Sequence, residues 1–422
     1  MKINKVIFFA LLMALVNLVN AQTFTWTGSS TDASLDNNWD EQTNWSTGDG
    51  SDGDDGYPNS TSHTVIIADV TDNPVINISG AVCGALTIES SGLLTSNNGA
   101  NSLTATSINL QSGGQLSITN GLITSGNFTH AGIITLQGGT LDINGNYTGA
   151  SSLRANISGG TIQIAGNWDG TAVPSASPLN EFNPSGGTIF FNGGTQSIST
   201  HASNNFHDLT IGGTTNTKTA GSDLVINGNL LISTGTLDMG SDANTLDVGG
   251  NFTLSGVSFI PYGGTHDIAG NWDDSGSGNV GFAPSSGKII LSGSSSTIAT
   301  KSDNKFFNLE IDKSSATATC NTNIEVDGTF KIASNTTYDL GEYIMNVDGA
   351  TDIDGTLSIS SGTYHTDGAS DIDGSLLIST TGIYDADGSF SGTNSTITLS
   401  GAGFIKFAGS VFSLGSNYDA TS

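Results

Sequence analysis

The chain has 422 residues, enough for two or three ordinary domains, yet only 11% are charged and 57 are glycine, a composition that is poor in helix formers. Acidic residues number 38 against 10 basic ones, a formal charge of −28 that makes nucleic acid and anionic membrane poor partners. Val, Ile, Leu and Phe nevertheless recur at regular intervals, which a disordered tract does not need, so an ordered all-β protein is expected.

Met1 to Ala21 carries Lys2 and Lys5, then the apolar run Val6 to Val19, then Asn20-Ala21. That is the layout of a cleavable secretory signal, and the run is short for a bilayer span. Residues 1–21 are therefore read as a signal peptide and the mature chain as starting at Gln22, with a charge of −30 once two lysines are lost. The residue after the cleavage point is Gln22 rather than the cysteine of a lipoprotein anchor, and no later segment is apolar enough to span a membrane, so the expectation is a secreted, extracellular chain without membrane insertion.

Residues 22–75 hold three of the five tryptophans, Trp26, Trp39 and Trp45, and an acidic loop with Asp49, Asp52, Asp54 and Asp55 before Tyr57-Pro58. The first coil of a solenoid has an open edge, and an irregular aromatic segment is expected to cap it, with the tryptophans buried rather than stacked on sugar rings. The loop does not match an EF-hand and lacks its closing Glu, but Asp49, Asp52 and Asp54 are candidate calcium ligands.

Residues 76–422 are organised by repetition. Gly159 to Asp169, GGTIQIAGNWD, returns as Gly263 to Asp273, GGTHDIAGNWD, at an offset of 104, and Gly-Asn followed by an apolar residue recurs at Gly126, Gly145, Gly228 and Gly250. Corners can be aligned at Gly84, Ser107, Gly126, Gly145, Gly166, Gly186, Phe206, Gly228, Gly250 and Gly270, at a nearly even step. Strands at that period mean a β-solenoid of about 20 residues per coil, specifically a right-handed parallel β-helix, with Gly-Asn expected to turn corners at positive φ. Pairs such as Leu116/Ile118, Leu141/Ile143, Leu224/Ile226 and Leu237/Met239 supply its inward faces. A longer unit of about a hundred residues aligns Phe206 to Ile211 with Phe306 to Ile311. Cys83 and Cys320 are about twelve coils apart, on the order of 55 Å, so they are expected to be separate buried thiols rather than a disulfide.

In the last third, Asp352-Ile353-Asp354-Gly355 recurs one coil later as Asp371-Ile372-Asp373-Gly374, with Asp-Gly steps at 348, 367 and 387. Stacked coils would set Asp352, Asp354, Asp371 and Asp373 in columns about 4.8 Å apart, where calcium is a reasonable counter-charge and Asp-Gly turn geometry the competing explanation. No other cofactor is indicated.

The opening Trp26-Thr27-Gly28, Trp39, Asn44-Trp45 and Pro58, with the later Gly-Asn-Trp, Phe-x-x-Leu-x-Ile and Thr236 to Gly240 coils, resembles the long secreted β-helical repeat proteins of Bacteroidetes bacteria. The resemblance covers nearly the whole mature chain and implies surface display or adhesion, often with a C-terminal sorting domain for type IX export, which is not apparent here. No cap is evident after Phe404 to Phe407, so a C-terminal truncation is among the expectations. The function expected is a non-catalytic structural or adhesive module that contacts polysaccharide or cell-surface components.

The alternative is a polysaccharide hydrolase or lyase, since parallel β-helices also host such enzymes. Lyase chemistry on uronates usually needs a basic Arg or Lys, yet Arg154 is the sole arginine and the lysines are scattered. Hydrolysis needs two positioned carboxylates, and no motif picks out a pair. His63, His130, His201, His207, His266 and His365 fall in no metal-ligand spacing, and catalytic residues are therefore assigned as none. Ice binding would need a Thr-x-Thr ladder in every coil, and Thr104-Ala105-Thr106 is not repeated from coil to coil.

Overall fold

The computed structural model describes residues 22–29, 34–47, 56–172, 181–278, 281–393, 395–414 and 420–421. The expected signal peptide lies outside them. Among the described residues the single helix is a 3-10 turn at Gln42–Asn44. The strands form a parallel β-solenoid of about 16 turns at about 21 residues per turn, as the short period predicts.

Three strands make one turn. Leu224–Ile226, Leu230–Ile232 and Thr236–Asp238 follow one another, and each pairs in parallel with its counterpart one turn later, Leu246–Val248, Phe252–Leu254 and Ser258–Ile260. Alternation drives this: Leu224 and Ile226 are buried on either side of the half-buried Val225, and the same inward stripe runs from turn to turn as Ile123, Leu141, Ile162 and Ile189 stack in register. Each turn covers the apolar face of the last, so the core is one continuous column.

The first strand, Thr23–Trp26, pairs antiparallel with Trp45–Thr47 and parallel with Thr64–Ile67, which starts the parallel stack by pairing with Ala81–Ile88. Trp26, Trp39 and Trp45 are buried, with Trp45 edge-on to the other two at ring-centroid distances of 4.8 and 4.9 Å. Each indole N–H donates to a backbone carbonyl, of Asp72, Pro58 and Trp39 respectively. The rings are core, not a platform for sugars.

The Gly-Asn corners exist for a different reason from the one expected. None of Gly126, Gly145, Gly228, Gly250 or Gly270 has positive φ. A Cβ at Gly250 would lie 2.7 Å from the Gly228 carbonyl oxygen, and one at Gly270 would lie 2.5 Å from that of Gly250, so glycine is required because successive corners touch. The asparagines form ladders. Asn127 Oδ1 accepts from Asn146 N–H at 2.9 Å, Asn146 from Asn167 at 2.8 Å and Asn167 from Ser197 at 2.9 Å. A second ladder runs from Asp208 through Asn229, Asn251 and Asn271 to Thr297 with steps of 2.7, 3.0, 2.9 and 2.9 Å. Each side chain caps a backbone donor of the next turn where the chain bends away from the sheet.

The even step also fails twice. Trp168 pairs with Ile198 and Trp272 with Ile298, so these two turns are longer than their neighbours. Both long turns add a phenylalanine against the tryptophan, Phe182 at a centroid distance of 4.8 Å and Phe282 at 4.9 Å, with Phe206 and Phe306 completing equivalent clusters.

The hundred-residue unit is real at atomic detail. Thr200 N–H bonds Ser222 Oγ as Thr300 N–H bonds Thr322 Oγ1, and Asn204 and Asn304 accept from the N–H of Phe182 and Phe282. The two copies do not lie on the same faces. Asp208–Ile211 pairs with Leu230–Ile232 in the 29-stranded sheet, whereas its equivalent Asn308–Ile311 pairs with Phe330–Ile332 in the 10-stranded sheet. Likewise Leu224–Ile226 is in the 10-stranded sheet and Ile324–Val326 in the 5-stranded one. With three faces per turn, the unit spans a whole number of turns less one face.

Cys83 and Cys320 are both buried and unpaired, as their separation requires.

Candidate carboxylate and metal-ligand sites

Thr351–Ile353 and Ser370–Ile372 pair in parallel with Asp352 opposite Asp371, so the repeated motif does bring its carboxylates onto adjacent turns. One turn earlier, Lys331 stands opposite Asp352. Its ammonium lies 2.5 Å from Asp352 Oδ2 and 2.8 Å from Asp354 Oδ2, and these hydrogen bonds raise the Lys331 pKa above its ordinary value. On the other side, Asp373 accepts from Thr393 N–H at 2.8 Å and Thr393 Oγ1 at 2.7 Å, which holds its carboxyl below the usual range. Asp371 accepts from Ser391 Oγ at 3.3 Å. The counter-charge that these turns themselves contain is a lysine. Asp49, Asp52 and Asp54 lie outside the described residues.

A second column, on the next face, was not picked out from sequence. Thr363–Thr366 pairs with Ile383–Ala386 and places His365 opposite Asp385, and Lys406 follows opposite Asp385 one turn on. Ligand atoms of His365, Asp385 and Asp387 lie within 4.8 Å of one another. His365 Nε2 is 2.8 Å from Asp367 Oδ1 and its Nδ1 is 3.5 Å from Asp385 Oδ2, which also receives Lys406 Nζ at 2.7 Å. The signal was present as His365-x-Asp367 and Asp385-x-Asp387, one coil apart. Searching for histidines near histidines hides it, because the ligands come from successive turns.

Two other histidines are core residues. His130 Nδ1 pairs with the Tyr147 hydroxyl at 2.8 Å and Nε2 with the Arg154 carbonyl at 3.2 Å, and burial lowers its pKa to about 4. His266 accepts from Leu246 N–H at 3.1 Å and donates to the Pro261 carbonyl at 2.8 Å, and burial lowers its pKa too. Both are neutral at pH 7, with the proton on Nε2.

Two of the surface concavities are open and polar. One of about 490 Å³ is lined by Thr135, Gln137, Ala155, Asn156, Ile157, Ser158, Asn183 and Ser185. Another of about 400 Å³ follows Asn146, Thr148, Asn167, Asp169, Thr171, Ser197 and Ser199. Thr148, Asp169 and Ser199 are register partners on three successive turns, so this groove runs along the stack. Hydroxyls and amides at that spacing, with the Asp169 carboxylate among them, can hydrogen-bond an extended polymer. No protein-family model matches the chain, and no curated protein or solved structure matches it either.

Proposed function

We propose that this β-solenoid is an extracellular, non-catalytic structural or adhesive module that contacts polysaccharide or cell-surface polymers along its polar faces. The observation that carries the reading is the groove of Thr148, Asp169 and Ser199, whose polar groups repeat once per turn along a rigid stack rather than converging on a point. Repetition favours weak contacts summed over length, in which avidity grows with the number of turns. The secretory signal over residues 1–21 and the resemblance to Bacteroidetes surface proteins support an exported setting.

The test is to incubate the purified chain with a panel of plant, algal and host polysaccharides, measuring both retention and the release of new sugar ends. Retention without release is expected, weakened when Thr148 and Ser199 are replaced by bulky leucines. Steady release of reducing or unsaturated ends, abolished by changing a single Asp, would establish the hydrolase or lyase instead.

A further inference from the structure

We propose that His365, Asp385 and Asp387 bind a divalent transition-metal ion such as Zn²⁺ or Co²⁺, and that Lys406 holds the site closed when no metal is present. One imidazole nitrogen and two carboxylate oxygens already lie within 4.8 Å of one another. Ligands on one tetrahedral ion, with bonds of about 2.1 Å, sit about 3.4 Å apart, so closure needs movements of about 1 Å, within reach of side-chain rotation. Strand pairing fixes the rest, since His365 and Asp385 are register partners and Asp387 follows two residues on.

Three features favour an ion over a plain surface cluster. The Asp367 carboxylate, 2.8 Å from His365 Nε2, accepts its proton and orients the ring, the usual arrangement behind a metal-bound imidazole. In the neutral imidazole with its proton on Nε2, the Nδ1 lone pair faces Asp385 Oδ2, 3.5 Å away, and a cation between them would bind both acceptors. Asp385 Oδ1 is buried with no hydrogen-bond partner. The Lys406 side chain is 59% exposed and can swing into water when an ion takes its place. A mixed nitrogen and oxygen set selects late first-row metals over calcium, which prefers six or more oxygens.

The test is titration of the purified chain with Co²⁺, followed by its visible d–d absorption and by calorimetry, with Zn²⁺ and Ca²⁺ as competitors. One equivalent should bind, displaced by Zn²⁺ and not by Ca²⁺. His365→Ala and, separately, Asp387→Asn should each weaken binding at least about tenfold. Lys406→Ala should tighten it several-fold by removing the resident cation. Asp352→Asn, on the neighbouring face, should leave it unchanged. Absence of a saturable Co²⁺ band, binding that survives both ligand variants, or displacement by Ca²⁺ would overturn the site. Because the readout is metal binding, it stands or falls independently of any polysaccharide contact.

Discussion

Asp274 occupies a core position and is fully buried, with one oxygen accepting from Lys301 N–H at 3.0 Å and the other without a hydrogen-bond partner. Burial raises its pKa to about 6 from 3.8, so the folded state holds its proton more tightly than the unfolded one, and stability falls as pH rises from about 4 to 6. His130 works in the opposite sense: its folded pKa of about 4 lies below 6.5, so stability falls as pH drops through that window. Each effect is worth about 3 kcal/mol, and over the shared window they largely cancel. Asp274→Asn, which keeps the acceptor for Lys301, should therefore raise the melting temperature at pH 7.5 and expose a steep acid limb between pH 6.5 and 4. His130→Gln should leave a melting curve that improves on acidification. Thermal melts across pH 4 to 8 check both, and parallel slopes in all three proteins would contradict them. The two thiols are testable at the same scale. Burial raises the Cys83 pKa to about 12 and raises that of Cys320, so both should react with a thiol reagent only after denaturation, with no disulfide in the intact mass.

At the scale of the corner and the strand, the repeated Gly-Asn pair was legible in the chain while its cause was not. Positive φ is a property of one residue and its neighbours, but the corner glycines are demanded by a carbonyl one full turn away, which only the stacked coil reveals. The two kinds of glycine should respond differently to alanine. Gly80 has φ +77° with nothing near an added Cβ, so Gly80→Ala should cost about 1–2 kcal/mol of backbone strain. Gly250→Ala has no such strain but drives a methyl into Gly228, and should cost about 1–3 kcal/mol and loosen the turns on either side. Asn229→Ala, which leaves the exposed Asn251 N–H in the middle of its ladder without its partner, should cost about 1 kcal/mol. Urea unfolding with amide exchange separates them, because only Gly250→Ala should speed exchange in both neighbouring turns. The same distinction explains the sites. The Asp352/Asp371 column was legible because its members share one residue type at one period. His365 with Asp385 escaped because unlike residues, each ordinary in its own turn, become a set only through register.

For the whole molecule, hydrophobic alternation and the short, nearly even period sufficed to foresee a parallel stack, since a strand with one buried face and no partner in its own turn must find one in the next. Less legible was how the hundred-residue unit advances around the stack. An even step from Gly166 to Gly186 hides that Trp168 meets Ile198, one long turn away. Where that step is absorbed, the Gly-Asn ladder ends on one edge of the triangle and resumes on another, from Asn167 to Asp208. Equivalent residues such as Asp208 and Asn308 consequently look out in different directions, about a third of a revolution apart. Copying the unit lengthened the core without repeating its outward residues along any one side. A partner lying along a single side meets the first copy's outward residues and then a different set from the second. Selection can therefore change the outward residues of one copy without disturbing what the other displays, while the inward residues of both stay bound to the same packing problem. What the duplication conserved is an interior; the rod's exteriors were free to become three different surfaces.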